Sequence, residues 1–490
     1  MTEKLAEGFT DDTTGKLINH GTISNVEIAQ GNLISDGILS GEQGKITVAG
    51  TANVDGSTIT SANVLPNETV EILTADEITG TLSNTVDNPV AISGLVSGYG
   101  EISDNTINLK TVAANNVGNL NSEQNQSFNA VQNMYNNLDD DRKSEILPLY
   151  NLDSENTGRA LSQVGNFDAA QMITAAQQST VANRVISDRL STAFSMQTLN
   201  FNVGGLNFAD GDENILMGVS ANYNENRENN FWVKFTKNWG ELKGGADYHG
   251  SAISGGYDRS FGENWRGGLF VSYNATNLST NYSGGNIYDT RGGIYGGYHN
   301  DVDEGFIYID AGKVRNKLNR SISALGLGAE AKYNSNIFEI GGEYKRNLTP
   351  EKSFAISPFI NLQYSNLKQN SYSETGAGIF NQHVNSDSND YFAGTLGMEF
   401  KRVLANGNYA ARIGFKHAFT GADPELNFRY EGDGNNFYTL RNNQDKTHFI
   451  LSIGGENEFK GGWVLGGDVG FQRGSHDKDI SASVMLRKLW

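Results

Sequence analysis

The C-terminal half of the chain alternates between apolar and polar positions. In residues 409–419 one set of alternate positions is mostly apolar or aromatic, namely Tyr409, Ala411, Ile413, Phe415, His417 and Phe419. The residues between them are small or charged, and the same division recurs in 447–459 and 463–473. Because successive side chains of a strand point to opposite faces, this period of two predicts strands with one apolar face.

Twelve segments with this alternation can be traced to the C-terminus. They lie near 231–241, 248–261, 265–279, 287–300, 305–320, 328–348, 354–370, 390–404, 407–420, 445–459, 463–474 and 478–490. A soluble β-sandwich also alternates, but its polar face carries flexible charged side chains. Here Gly, Ala and Ser are interspersed with single charges, which suits the crowded interior of a closed barrel. The even strand number also suits a bacterial outer-membrane barrel.

The predicted strands are joined by connections of two lengths. Short turns such as 262–264 and 461–462 alternate with long connections near 371–389 and 421–444. In outer-membrane barrels the short turns lie on the periplasmic side. The sequence therefore predicts a mainly β protein with a 12-stranded antiparallel transmembrane barrel.

A helical region precedes the barrel, from about Asn121 to Gln197. Glycine nearly vanishes there, and apolar residues recur at spacings of three and four, as in Phe128, Val131, Met134, Tyr135 and Leu138. The longest predicted helix runs near 168–195, with Asp168 as N-cap and Gln171 three residues later. Its surface is largely polar and needs partners or water, which a polar channel would provide. A surface helix on a soluble bundle is the alternative.

The first part of the chain, residues 15–115, is rich in Asn, Thr, Ser and Gly with short apolar clusters. The segments 21–25, 31–35 and 37–41 resemble degenerate rungs, in which neighbouring coils cover each other's apolar face. This pattern favours a β-solenoid. An ordinary β-sandwich is the alternative, because irregular rung spacing fits either fold.

Composition excludes several kinds of chemistry. The 490-residue chain has no cysteine, which rules out disulfides, thiolate metal sites and a cysteine nucleophile. Its formal net charge of −19 argues against a nucleic-acid partner. Met1–Thr10 has no apolar stretch of the kind that a signal peptide requires, so an exported protein would begin upstream of this chain.

Taken together, these segments resemble the autotransporter family of classical type V secretion. The residues 160–165, Ala-Leu-Ser-Gln-Val-Gly, and the Arg189-Leu190 pair are similar to the family's linker and the end of its barrel-plugging helix. Residues 64–82 look like the last passenger coils of pertactin-type solenoids, and the chain ends on an aromatic residue, Trp490. Lys488 departs from the apolar residue that is usual in the family's closing signature.

The resemblance implies three regions and a function. Residues 1–120 would be the C-terminal part of a β-solenoid passenger, 121–200 a helical linker with a pore-spanning helix near 168–195, and 201–490 the translocator barrel. The barrel would lie in the bacterial outer membrane as a monomer, in contact with outer-membrane lipid. It would be inserted with the help of periplasmic chaperones and the barrel-assembly machinery. The passenger, an adhesin or another surface-exposed virulence-type protein, would be delivered to the cell surface.

The expected site residues are structural rather than catalytic. Arg184, Asp188 and Arg189 of the pore helix are expected to pair with charged residues that face the lumen. The candidate lumen residues are Lys234, Glu399, Arg412, Lys416, Glu456 and Asp468. On the last strand, Ile480, Ala482, Val484, Leu486 and Trp490 share one face, and Val484, Leu486 and Trp490 are the expected C-terminal insertion signal.

No cofactor or metal site is expected, because the seven histidines are scattered without ligand spacing. Two other classes stay open. An outer-membrane protease-like barrel would need converging groups such as His448 and Asp468, and an open porin would lack the helix in its lumen.

Overall fold

The computed structural model describes residues 9–12, 16–29, 31–114, 120–165, 228–300, 302–350, 354–404, 406–434, 436–441 and 443–490. The predicted pore helix near 168–195, with Arg184, Asp188 and Arg189, lies outside the described residues.

Parallel strands dominate the N-terminal region. The strands are β1 (Phe9–Asp12), β2 (Lys16–Asn19), β3 (Thr22–Ile23), β4 (Glu27–Ile28), β5 (Asn32–Ser35), β6 (Ile38–Ser40), β7 (Ile46–Asn53), β8 (Thr58–Thr60), β9 (Thr69–Thr79), β10 (Val90–Ala91), β11 (Val96–Ser103) and β12 (Thr106–Ala113). Two parallel stacks run side by side, one of β2, β5, β7 and β9 and the other of β3, β6 and β8. Apolar side chains from both stacks, among them Leu33, Leu39 and Ile59, form a buried core.

An antiparallel hairpin ends the parallel stacks. β12 pairs with β9 and with β11, and both pairings are antiparallel. Asn84 joins the hairpin to the second stack, because its side chain exchanges two hydrogen bonds of 2.8 Å with the backbone of Ile59 and donates a third to the carbonyl of Gly98.

Residues 120–165, which the structure describes, contain three helices, α1 (Ser122–Asn137), α2 (Asp140–Tyr150) and α3 (Ser154–Gly165). Asn121 caps α1, and its side chain and that of Gln124 bond each other's backbone N–H in a capping box. The apolar spacing predicts this helix correctly, since Val131, Met134 and Tyr135 form its buried face.

The C-terminal region is a closed antiparallel barrel, which confirms the predicted 12-stranded barrel. The described residues of this region contain sixteen strands, β13 (Asn229–Leu242), β14 (Ala246–Phe261), β15 (Trp265–Ser279), β16 (Ser283–His299), β17 (Asp303–Ile322), β18 (Leu327–Arg346), β19 (Phe354–Gln369), β20 (Tyr372–Ser373), β21 (Gln382–Val384), β22 (Asp387–Leu404), β23 (Gly407–Thr420), β24 (Glu425–Tyr430), β25 (Tyr438–Arg441), β26 (Thr447–Phe459), β27 (Trp463–Arg473) and β28 (Lys478–Leu489). Twelve of them close the barrel, where β28 pairs with β13, and the other four form a separate sheet.

The exterior of the barrel is an apolar band. Alternate side chains of each strand are exposed and large, including Phe235, Leu269, Ile307, Ile413 and Ile453. Many of the opposite side chains are buried, and they include charged residues such as Arg291, Glu399 and Arg487. No helix in the described part of the chain is long and apolar enough to span a membrane.

The two ends of the barrel differ. One end carries short connections, and the first barrel strand begins there beside the C-terminal residue. At this end the Asn229 N–H donates to the Trp490 carbonyl at 3.1 Å. The other end, called the mouth below, carries the long connections 370–386 and 421–446. The sequence predicted only long connections here. In the structure β20, β21, β24 and β25 pair within them as a four-stranded sheet, which is called the loop sheet below.

Candidate functional site

The six residues predicted to face the lumen all lie on the inner side of the barrel. Lys234 Nζ is 2.7 Å from Asp468 Oδ1, and both belong to strands near the barrel closure. Glu456 forms an ion pair with Arg487 of the last strand. Lys416 Nζ lies 5.2 Å from the centre of the Tyr391 ring.

Glu399 and Arg412 belong to a larger inner cluster. Glu399 accepts a hydrogen bond from Lys345 at 2.9 Å and lies 3.4 Å from the Arg412 guanidinium. Arg412 also pairs with Glu343, and Lys345 also pairs with Glu304 at 3.0 Å. Such alternation of sign allows buried charges to persist, because each is compensated by its neighbour.

A second inner cluster was not among the predicted residues. Arg291 lies 2.6 Å from Asp289, 3.1 Å from Glu339 and 3.8 Å from Asp310. All four are almost fully buried, and Tyr308 donates a hydrogen bond to Glu339 at 2.6 Å. The alternation of β16 could have revealed the inward position of Arg291, since it shares a face with Asp289 and Ile287.

At the mouth, the C-terminal end of α3 is held by a group of polar side chains. Arg320 donates to the carbonyls of Gln163 at 3.0 Å and Val164 at 3.3 Å. Gln382 and Tyr430 donate to the Val164 carbonyl as well, at 3.3 and 3.0 Å. The last carbonyls of a helix have no partners within the helix, so these side chains satisfy them.

Arg320 is itself fixed by the long connections. Its guanidinium forms a buried bidentate ion pair with Glu374 and donates to the Phe380 carbonyl at 3.0 Å. Glu374 in turn accepts the Gln382 N–H at 2.9 Å. Burial raises the pKa of Tyr430, so its hydroxyl keeps the proton that it donates.

The helices also join the N-terminal region to the mouth. Tyr135 of α1 donates to the Pro66 carbonyl, and the Gly94 N–H donates to the Leu152 carbonyl at 2.8 Å. On the other side, Asn137 donates to Asp433 of a long connection at 2.8 Å. One apolar cluster runs through the N-terminal region, the three helices, the loop sheet and the inner barrel wall.

His448 and Asp468 do not converge. Asp468 pairs in register with Gly454, six residues along the strand from His448, which is about 20 Å at the rise of a β-strand. His448 Nε2 instead lies 2.8 Å from Asp477 Oδ1 at the mouth. Within the described residues, no group of three or more His, Asp or Glu side chains is placed to hold a metal ion.

The residues of the predicted insertion signal lie on the outer face of the barrel. Val484 and Leu486 of β28 and the terminal Trp490 are exposed, whereas Met485 and Arg487 point inward. Lys488 stands over the ring of Trp463, 5.4 Å from its centre.

Comparison with known proteins identifies the barrel. Residues 231–470 match the family model of the autotransporter β-domain. The barrel belongs to the autotransporter β-domain family. Domains of this family are outer-membrane translocators and are not themselves catalytic.

Solved structures similar to this autotransporter barrel have low sequence identity. The translocator domain of the autotransporter NalP from Neisseria meningitidis is 17% identical, and the match covers 56% of this chain and 94% of that one with a TM-score of 0.47. The β-domain of the Bordetella autotransporter BrkA is 15% identical, covering 54% and 100% with a TM-score of 0.43. The transport unit of AIDA-I from Escherichia coli is 13% identical, covering 61% and 98% with a TM-score of 0.36. The search of curated proteins gave no match.

Proposed function

We propose that this autotransporter barrel carries the N-terminal region of its own chain to the bacterial cell surface. The observation that carries the proposal is the position of the two chain ends that flank residues 166–227. Gly165 is held at the mouth by Gln382, whereas Asn229 lies at the opposite end beside Trp490. The described residues on the two sides of this segment therefore lie at opposite ends of the barrel, and in this proposal the chain between them passes from one end to the other.

A route through the lumen fits the physical chemistry of that segment. In contact with lipid, polar groups such as Gln177, Asn183 and Arg184 would lose their hydrogen bonds to water. Inside the barrel they would meet a charged wall. A helix over 168–195 would be about 42 Å long, close to the height of about 39 Å that a 15-residue strand spans at a tilt of about 40°.

In this proposal Arg184 and Arg189 pair with lumen carboxylates such as Glu399 and Asp468, and Asp188 pairs with a lumen cation such as Lys416. These pairs seat the helix. No chemistry is assigned to them. The pairing would leave the lumen blocked after transport.

We place residues 1–120 outside the cell as the end of a β-solenoid passenger. The two parallel stacks support this proposal, because stacked parallel coils are the pairing of a solenoid. Each docked coil templates the next, so folding outside the cell would oppose return of the chain through the barrel. A surface protein of the adhesin class is the passenger that we propose.

The proposal also includes partners. Insertion of the barrel would depend on periplasmic chaperones and on the barrel-assembly machinery, and Val484, Leu486 and Trp490 would form the signal that the machinery recognises. The folded barrel would be a monomer surrounded by outer-membrane lipid.

The test combines gel migration with conductance. The full chain and a variant lacking residues 168–195 are refolded in detergent and analysed by heat-modifiable migration and in planar bilayers. We expect a migration shift for both, with low conductance for the full chain and higher conductance for the deletion. Equal high conductance in both would favour an open porin, and the absence of a shift in either would contradict the barrel's translocator role.

A further inference from the structure

Four basic side chains form a patch on the outer wall of the barrel near the mouth. Lys313, Arg315 and Lys317 occupy alternate outward positions of β17, and Lys332 lies beside them on β18. All four are exposed. This group is called the basic patch below.

The basic patch begins directly where the apolar band ends. The preceding outward positions of β17 are Ile307, Ile309 and Ala311, and Lys313 follows. On β18 the outward Phe338 and Ile340 lie at the same level, because they pair with Ala311 and Ile309 of β17. The patch therefore occupies the level of lipid headgroups, on the side of the membrane that the mouth faces.

The arrangement of these charges is unfavourable without an anion. Lys317 and Lys332 are direct cross-strand partners, and like charges at such positions repel each other. Lys317 Nζ lies 5.7 Å from the centre of the Tyr288 ring. None of the four cations forms an ion pair with any described residue.

Many other charged residues of the barrel form ion pairs. On the inner wall, cations such as Arg291 and Lys345 are surrounded by carboxylates. On the outer wall elsewhere, Lys478 is paired with Glu241. In a chain of net charge −19, four adjacent cations without counter-ions are a local reversal of sign.

The surroundings of the basic patch offer hydrogen bonds rather than negative charge. In register with its residues are Thr290, Asn286, Asn334 and Asn336, and Lys368 extends the row on β19. The nearest outward carboxylate on these strands is Glu330, which lies beyond Lys332 towards the mouth. Amide and hydroxyl groups can bind phosphate and sugar oxygens beside the cations.

We propose that the basic patch binds the phosphate groups of an anionic glycolipid in the outer leaflet. A cluster of Lys and Arg next to the hydrocarbon region is the arrangement that recognises anionic headgroups. The inference rests on the proposed function, because that function turns the mouth towards the cell exterior. It adds a lipid ligand to the barrel and fixes which wall of the barrel carries it.

The test uses native mass spectrometry of the full chain refolded in non-ionic detergent and titrated with diphosphoryl lipid A. The patch variant carries Lys313→Gln, Arg315→Gln, Lys317→Gln and Lys332→Gln. The control variant has the same charge change at four exposed sites elsewhere, Lys16→Gln, Arg402→Gln, Lys460→Gln and Arg473→Gln. We expect the patch variant to bind at least about tenfold more weakly than the wild type and the control variant to bind within about twofold of it.

Two further arms identify the ligand chemistry. Lipid A without phosphate groups should bind as weakly to the wild type as the diphosphoryl form binds to the patch variant. Raising the salt concentration should weaken wild-type binding, because exposed charges are screened. Displacement of lipid A by millimolar inorganic phosphate would mean that free phosphate is the ligand and would overturn the proposal.

Equal affinities of the patch and control variants would also overturn it. Heat-modifiable migration of the same samples separates this failure from failure of the proposed function. If the wild type shows no shift, there is no folded barrel to test; if it shows a shift but the two variants bind equally, only the lipid site is wrong.

Discussion

At the scale of single residues, Arg320 of β17 connects the end of α3 to a long connection of the mouth. Its guanidinium joins the end of α3 to Glu374 and to the Phe380 carbonyl. The side chains of Arg320 and Glu374 are 1% exposed, so neither charge can be compensated by water if its partner is lost.

We expect Arg320→Met to destabilise the mouth strongly. Removing one partner of a buried ion pair costs about 3 to 5 kcal/mol, because the other charge is left uncompensated. The measurement is the temperature at which the heat-modifiable band converts to the unfolded form. The double variant Arg320→Met with Glu374→Leu should recover part of the loss, and a double variant as unstable as the single one would contradict the importance of the pair.

The stability of the helices should depend on pH through Asp153. Asp153 precedes α3 and accepts the Asn156 N–H at 2.8 Å, and this bond and that from the Asn156 side chain lower the pKa of Asp153. A carboxyl whose pKa is lower in the folded state stabilises that state above its unfolded pKa and ceases to do so as the pH falls through its folded pKa. The Asp153→Ala variant should therefore be less resistant to proteolysis of the helices at pH 7, and the difference should vanish once the pH lies below the folded pKa of Asp153. Asp87→Ala, in an exposed turn, is the matched control and should show no effect at either pH.

At the scale of elements, the contact between the N-terminal region and α3 depends on a residue without a side chain. A Cβ atom at Gly94 would lie 2.1 Å from Thr157 Oγ1 and 2.8 Å from Thr157 Cβ. Gly434 also lacks a side chain, but a Cβ there would meet nothing within 4 Å.

We therefore expect Gly94→Ala to loosen the N-terminal region from the helices. Overpacking of this kind costs about 1 to 3 kcal/mol, and limited proteolysis of residues 1–114 measures the effect. The control Gly434→Ala should be cleaved like the wild type. Thr157→Ala in the Gly94→Ala background removes the clashing hydroxyl and should restore part of the protection; no restoration would mean that this contact is not the cause.

The last strand provides a second prediction at this scale. Val484 is exposed on the outer wall, near the middle of β28. A charged side chain at the middle of the lipid-facing band of a barrel costs about 2 to 4 kcal/mol. Val484→Arg should reduce the yield of folded barrel in lipid vesicles, whereas Ser475→Arg, which adds the same charge in an exposed turn, should not. Equal yields would place Val484 outside the lipid contact.

At the scale of the whole molecule, the two ends of the barrel predict an orientation in the membrane. The natural chain has no cysteine, so a single introduced thiol can be labelled without background. Asn385 lies in a long connection at the mouth, and Glu263 lies in a short turn at the other end. With a membrane-impermeant maleimide, Asn385→Cys should be labelled in intact cells and Glu263→Cys only after the outer membrane is permeabilised. The reverse result would invert the orientation on which the proposed export depends.

The sequence by itself determined the strands and their two faces. The predicted segments 265–279 and 407–420 coincide with β15 and β23, because alternation is a local property that each strand carries in its own residues. The inner position of Lys234 or Glu399 follows from the same count of odd and even positions. The starts of β16 and β22 were misplaced by four and three residues. At β16 the reason is that Ser283, Gly284 and Gly285 carry little side chain from which a face could be recognised.

The tertiary structure alone decided which residues meet. Arg320 and Val164 are 156 residues apart, and no local pattern marks Arg320 as the partner of a helix end. The loop sheet has the same origin, because β21 and β24 pair with each other although they belong to different connections. The basic patch depends on both levels, because Lys313, Arg315 and Lys317 share a face of β17 by alternation, whereas only the register of β17 with β18 places Lys332 beside Lys317. Local patterns fix the faces of an element, whereas contacts between distant segments depend on how the closed barrel brings them together.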